Sequence, residues 1–104
     1  MVGIFYDDPE TTPAEALRAD AGITVSPETP VPAGLTEQRL PAGRYACAEH
    51  QGPYEGLSEA WAALKRWASA NGYRAAGASY ELYFNDPMNT PPGELKTGLC
   101  LQLA

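Results

Sequence analysis

Glu81 is the acid around which chemistry can be built. It lies in Ala78-Ser79-Tyr80-Glu81-Leu82-Tyr83-Phe84-Asn85-Asp86-Pro87, an aromatic and aliphatic run closed by turn formers. That composition predicts a β-strand. Alternation places Ser79, Glu81 and Tyr83 on one face and Tyr80, Leu82 and Phe84 on the other, and the second set is apolar enough for a core. A central strand position is seldom spent on Glu unless water or a partner reaches it. A carboxylate beside an aromatic ring draws a cation through its charge and through the ring face. The pattern therefore suits a cationic, lipophilic ligand. The plainer alternative is a Glu on the wet face of an antiparallel sheet, and residue types alone leave both open.

Other reactive side chains offer less. Cys47 and Cys100 each sit in a strand-like apolar context and read as buried reduced thiols rather than a redox pair or a metal site. There is no CxxC, His50 is the only histidine, and it reads as a surface residue at a strand end. No base is placed by the sequence to activate Cys47, and Ser79 lacks a nucleophile elbow. No metal and no cofactor is expected. The net charge of -6, without a basic run, disfavours nucleic acid as a direct partner. Met1–Tyr6 lacks the basic lead of a signal peptide, and no apolar run approaches the ~20 residues that span a bilayer. A cytoplasmic chain with no membrane contact is expected.

The elements that must position Glu81 show a repeat. The 104 residues amount to one domain. Val2–Tyr6 and Arg18–Val25 are expected strands joined by the loop Asp7–Pro13 and a helical turn at Ala14–Leu17. Asp8-Pro9 recurs as Asp86-Pro87, Thr12-Pro13 as Thr90-Pro91, Leu17 as Leu95 and Arg18 as Lys96, all at an offset of 78 residues without a gap. Ile4, Phe5 and Tyr6 fall on Leu82, Tyr83 and Phe84. This is read as a duplicated hairpin, because turn chemistry alone does not fix the flanking register. In that register Gly3 is the counterpart of Glu81, so the site carries one carboxylate, which disfavours paired-acid glycosidase chemistry.

Between the hairpins, Ser26–Gly34 is a proline-rich linker, and Leu35–Leu40 is expected as a short edge strand. Arg44–Gln51 is a strand. Tyr54–Asn71 is the one long helix, with Tyr54, Leu57, Trp61, Leu64 and Ala68 as its apolar stripe and Asn71-Gly72 as its stop. Trp61 is expected in the core. Ser79–Phe84 and Leu95–Leu103 complete the second hairpin. The expected class is α+β: an antiparallel sheet of duplicated hairpins with one long helix. Residues 1–25 form a partial first module, 26–43 a linker with a short strand, and 44–104 a complete strand–helix–strand–strand module.

With Phe5-Tyr6-Asp7-Asp8-Pro9 and Thr12-Pro13, Leu40-Pro41-Ala42-Gly43-Arg44-Tyr45-Ala46, Gly52-Pro53-Tyr54, and Tyr80-Glu81-Leu82-Tyr83 with Asn85, the chain resembles the GyrI-like small-molecule-binding domain family. That family includes effector domains of multidrug-sensing regulators and the gyrase-inhibitory protein. The resemblance implies two pseudo-symmetric modules with a pocket between them, in which Glu81 anchors a cationic lipophilic compound. Tyr83 and Phe5 are expected on its face and Tyr54 at the groove. The resemblance also implies two alternatives: a small hydrolase of cyclopropane-bearing compounds with Glu81 as general base, and a protein-interaction module of the gyrase-inhibitor kind. Against the family's pattern, the first module is expected to lack its leading strand and helix, and with no helix-turn-helix read in these residues direct operator binding is not expected.

That difference raises a packing question. Ile4, Tyr6, Ile23 and Val25 are expected to form an apolar face on the first hairpin. The matching face of the second, Leu82, Phe84, Leu101 and Leu103, is expected under the helix. A bare face of several hundred Å2 is unusual on a soluble monomer. A fold-back of Ser26–Gly34, a helix straddling both hairpins, or a second copy of the chain would each cover it. A homodimer is the favoured expectation.

Overall fold

Two hairpins, each closed by the same kind of loop, pair edge to edge. A computed structural model describes residues 1–9 and 11–104, so Glu10 in the predicted Asp7–Pro13 loop lies outside the described residues. Strands β1 (Val2–Phe5), β2 (Ala19–Gly22), β3 (Tyr45–Gln51), β4 (Ala75–Tyr83) and β5 (Lys96–Leu103) form one antiparallel sheet in the order β2-β1-β4-β5-β3. One α-helix, α1 (Leu57–Ala70), packs on it, so the class is α+β.

The hairpin repeat holds in register. Val2 pairs with Gly22 between β1 and β2, and 78 residues later Tyr80 pairs with Cys100 between β4 and β5. The loop contacts repeat too: Tyr6 N–H donates to Arg18 O and Phe84 N–H to Lys96 O, both at 3.1 Å. Arg18 N–H donates to the Asp7 carboxylate and Lys96 N–H to the Asn85 amide oxygen, both at 2.9 Å. A short polar side chain folding back onto a backbone amide closes each loop, which is why Asp and Asn occupy equivalent places. The central ladder pairs Gly3 with Glu81. These are equivalent positions, so a local two-fold axis passes between them.

Helix α1 begins as a 3-10 turn, Tyr54–Gly56, behind Pro53. It ends where Gly72 adopts φ +80°, with Gly72 N–H donating to Ser69 O and Tyr73 N–H to Ala68 O. Glycine supplies that left-handed residue without a Cβ penalty. Leu64 and Ala68 of α1 are buried against Ala46, Leu99 and Leu101, with Leu57, Ala60, Trp61, Tyr73 and Leu103 packed around them.

The face expected under the helix is split: Leu101 and Leu103 lie under α1, but Leu82 and Phe84 do not. Ser79 pairs with Leu101 and Glu81 with Leu99, so the leucines under α1 share the face of Glu81, not that of Leu82 and Phe84. Leu82 lies on the reverse face with a second cluster of Val2, Ile4, Tyr80, Tyr45, Ala78 and Cys100, while Phe84 is exposed. Alternation defines two faces, and the cross-strand register then assigns the helix to one of them.

The linker deals with the reverse face. The strand expected over Leu35–Leu40 does not form. Gln38 instead donates to Asp20 at 3.1 Å, where the Tyr6 hydroxyl also donates at 2.5 Å. The Tyr45 hydroxyl donates to Pro41 O at 2.5 Å. Leu40 and Pro41 thereby lie over Tyr45, Tyr80, Leu82 and Cys100 around an apolar cavity of about 190 Å3. Strand β2 stops at Gly22, and Ile23 and Val25 are exposed beyond it. Of the four residues expected to form the apolar face that motivated a dimer, Ile4 is buried, whereas Tyr6, Ile23 and Val25 are exposed, Tyr6 with its hydroxyl bonded to Asp20.

Candidate functional site

Glu81 is 6% exposed, although its strand lies at the centre of the sheet and its side chain is charged. Burial of a carboxylate is costly unless donors meet it. Two do. Trp61 Nε1–H on α1 donates to one oxygen at 2.8 Å, and the Tyr83 hydroxyl donates to the other at 2.6 Å. Tyr83 lies two residues along β4, on the same face by strand alternation. Both donors are neutral, and among the described residues no salt bridge joins Glu81 to a basic side chain. Its charge is met by dipoles and by no cation.

Burial raises the Tyr83 phenol above its ordinary range, and the hydrogen bond to Glu81 and its charge raise it further. Tyr83 therefore stays protonated and continues to donate. The Tyr54 ring lies 5.8 Å from the Tyr83 ring, centroid to centroid, at 58°. That tilted geometry suits two aromatic quadrupoles. Opposite the acid, Gly3 forms the floor. A Cβ there would sit 2.9 Å from the Tyr83 hydroxyl and 3.1 Å from the Phe5 ring. Phe5 pairs with Ser79 and so shares the face of Gly3 and Glu81.

Of the residues singled out from sequence, Glu81, Tyr83 and Tyr54 form one chain of contacts, and Phe5 flanks it across Gly3. The residue missed is Trp61, which the helical stripe assigned to the core. A signal is present: a tryptophan on a buried stripe needs an acceptor for its N–H, and Glu81 is the one acid in the strand that follows the helix. Lys65 of α1 reaches Asp8 in the first hairpin's loop at 3.5 Å, tying the helix to the first hairpin. Thr97, paired with Tyr83, is fully buried, and its hydroxyl has no hydrogen-bond partner among the described residues.

The remaining side chains do other work. His50 is half-buried, with Nε2 3.0 Å from Pro53 O, and it ties the end of β3 to the helix start. Trp67 is half-exposed and stacks on Tyr73 at 5.7 Å and 23°, with Arg44 over the same tyrosine. Cys47 and Cys100 are not the buried, separate thiols expected. Cys47 is exposed, and the two sulfurs are 3.6 Å apart. No helix among the described residues is long and apolar enough to cross a membrane.

Comparison with known proteins accords with this geometry. The chain is 35% identical over 89 residues to a DNA gyrase inhibitor of Yersinia enterocolitica, a match that takes in 80% of this chain and 57% of that one. It is 33% identical over 88 residues to the probable transcriptional regulator YgiV of Escherichia coli, covering 81% and 54%. The chain thus spans about half the length of these curated relatives. Among solved structures, a hydrolase from Listeria innocua superposes with a TM-score of 0.51 at 26% identity, over 56% of this chain and 32% of that one. A conserved protein from the same organism gives 0.52 at 26%, over 56% and 30%. The model of the GyrI-like small molecule binding domain matches residues 1–104. By the family model that spans its length and by these relatives, the chain belongs to the GyrI-like small-molecule-binding domain family.

Proposed function

We propose that this domain captures lipophilic cations, with Glu81 as the electrostatic anchor and Trp61, Tyr83, Tyr54 and Phe5 as the aromatic surround. The observation that carries the reading is a buried carboxylate held by two neutral donors and by no basic side chain. Such a group attracts a cation strongly, because water is excluded and the surroundings supply no countercharge. The rings add dispersion and cation–π attraction for a flat, apolar cation.

The test is titration with a permanently cationic xanthene dye and its neutral analogue against wild type and Glu81→Gln. The variant keeps the shape and removes the charge. Loss of a charged contact worth about 1.5–3 kcal/mol predicts a ten-fold or greater loss of cation affinity and little change for the neutral dye. Equal cation affinity for both proteins at low salt overturns the proposal.

A hydrolytic reading draws support from the hydrolase named among the similar structures. Both oxygens of Glu81 keep a free lone pair beyond the bonds to Trp61 and Tyr83, so a water can still be activated there. Turnover of an electrophilic cyclopropane or ester that disappears in Glu81→Gln would favour it over capture alone. The relatives named as gyrase inhibitors motivate a third reading, protein interaction, which a gyrase supercoiling assay with the purified chain addresses.

A further inference from the structure

Cys47 on β3 and Cys100 on β5 face one another on the reverse side of the sheet, away from Glu81 and α1. They are direct cross-strand partners, with their sulfurs 3.6 Å apart. Leu103 N–H donates to Arg44 O at one end of this ladder and Gly52 N–H to Leu95 O at the other. These bonds fix the alternation and make Cys47–Cys100 a non-hydrogen-bonded pair, the kind whose side chains approach most closely, with Cα atoms about 4.5 Å apart. That separation falls inside the window of about 4.4–6.8 Å found for disulfides. Bonding the sulfurs at about 2.05 Å asks for side-chain rotation and no change of strand register.

We propose that Cys47 and Cys100 form a dithiol modification site that a small disulfide oxidises to an intrachain cross-strand disulfide. Cys47 is the exposed member and the point of attack. Its thiolate attacks one sulfur of oxidised glutathione, forming a protein–glutathione mixed disulfide and releasing one glutathione thiolate. The Cys100 thiolate then attacks the Cys47 sulfur, forming the protein disulfide and releasing the second glutathione. Two protein thiols are oxidised, one glutathione disulfide is reduced to two thiols, and the two protons pass to solvent or to the departing thiolates.

The two sulfurs are not equivalent. Burial pushes the Cys100 thiol up to about 11, and the hydrogen bond and charge of Cys47 add to the effect. Cys100 therefore holds its proton while Cys47 is a free thiol. Capping Cys47 as a mixed disulfide removes the contributions that Cys47 makes, while the larger contribution of burial remains, so the second step draws on a small thiolate fraction of Cys100. The bridge would also alter the apolar cavity that both cysteines line with Leu40, Pro41, Tyr45, Tyr80 and Leu82.

The experiment treats the reduced full chain under native conditions with oxidised glutathione and follows intact mass, free thiols and the disulfide-linked peptide. The expected product is monomeric, lighter by two hydrogens, with Cys47 joined to Cys100. Cys100→Ser should stop as the glutathione adduct on Cys47. Cys47→Ser should react at least ten-fold more slowly than Cys100→Ser. The oxidised wild type should unfold at a higher temperature, and reductant should reverse the shift. A wild type that stops at the glutathione adduct, links only between chains, or bridges only after denaturation overturns the proposal.

Discussion

Tyr83 carries more of the site than a lining ring would. Its hydroxyl spends its proton on Glu81 and stands over Gly3. Its folded-state pKa is raised, so the stability linked to its protonation is fully present below the unfolded phenol value near 10. It is lost as pH rises through the higher folded value. Phenolate absorbance is the measurement. In wild type, Tyr83 should not contribute to the rise between about pH 9 and 11 while the protein stays folded. Tyr83→Phe should therefore leave the folded-state amplitude in that window unchanged. A drop by one tyrosine equivalent would mean that the hydroxyl is not held by the acid. The acid itself was legible in the sequence because a lone Glu breaks an aromatic strand. Its donor was not, since Trp61 fits an apolar helical stripe equally well, and only the packing of α1 on β4's neighbour reveals that the indole N–H has found a carboxylate.

At the scale of elements, the sequence carried the hairpins further than the faces. Repeated Asp-Pro and Thr-Pro pairs at a fixed offset set the register, and the ladders follow it residue for residue. Which face the helix would take was not encoded in alternation, since either face of β4 and β5 offers large side chains. The pairing of Leu99 and Leu101 with Glu81 and Ser79 decides it, and sends Leu82 to the other side. The edge strand expected at Leu35–Leu40 failed because the polar Gln38 finds partners in Asp20 and Tyr6 rather than in a ladder. The duplication also explains Gly3. At the two-fold position opposite Glu81, a Cβ would meet the Tyr83 hydroxyl at 2.9 Å and the Phe5 ring at 3.1 Å. Gly3→Ala should destabilise the domain by about 1–3 kcal/mol through overpacking and weaken cationic-dye binding by displacing Tyr83. Gly22→Ala is the control, because its Cβ would meet only Val2 at an ordinary 3.7 Å. It should stay within about 0.5 kcal/mol. Urea denaturation of the two variants compares them directly, and equal stability would remove the steric reading of Gly3.

The molecule as a whole has two cores on opposite sides of one sheet, and β4 reaches both: Tyr80, Ala78 and Leu82 lie in the reverse core, and Glu81 accepts the Trp61 N–H on the helix side. Leu99, 1% exposed, packs under α1. Ile4, 7% exposed, packs with Val2 and Tyr80 on the reverse face. The strand that presents Glu81 to the helix side presents Tyr80 to the other, and β1 is paired to β4 along its whole length. A strand shared in this way should couple the cores, because losing β1 would leave Tyr80 uncovered and β4 as a sheet edge. Leu99→Ala and Ile4→Ala should each cost about 2–5 kcal/mol. Each should shift one common transition, seen alike by far-ultraviolet circular dichroism and by tryptophan fluorescence. Both tryptophans lie on α1, so fluorescence reports the helix side alone. If Ile4→Ala lowered the circular dichroism transition and left the fluorescence transition in place, the first hairpin would be an independent appendage. The Gly3 floor of the site would then open without the helix wall that holds Trp61.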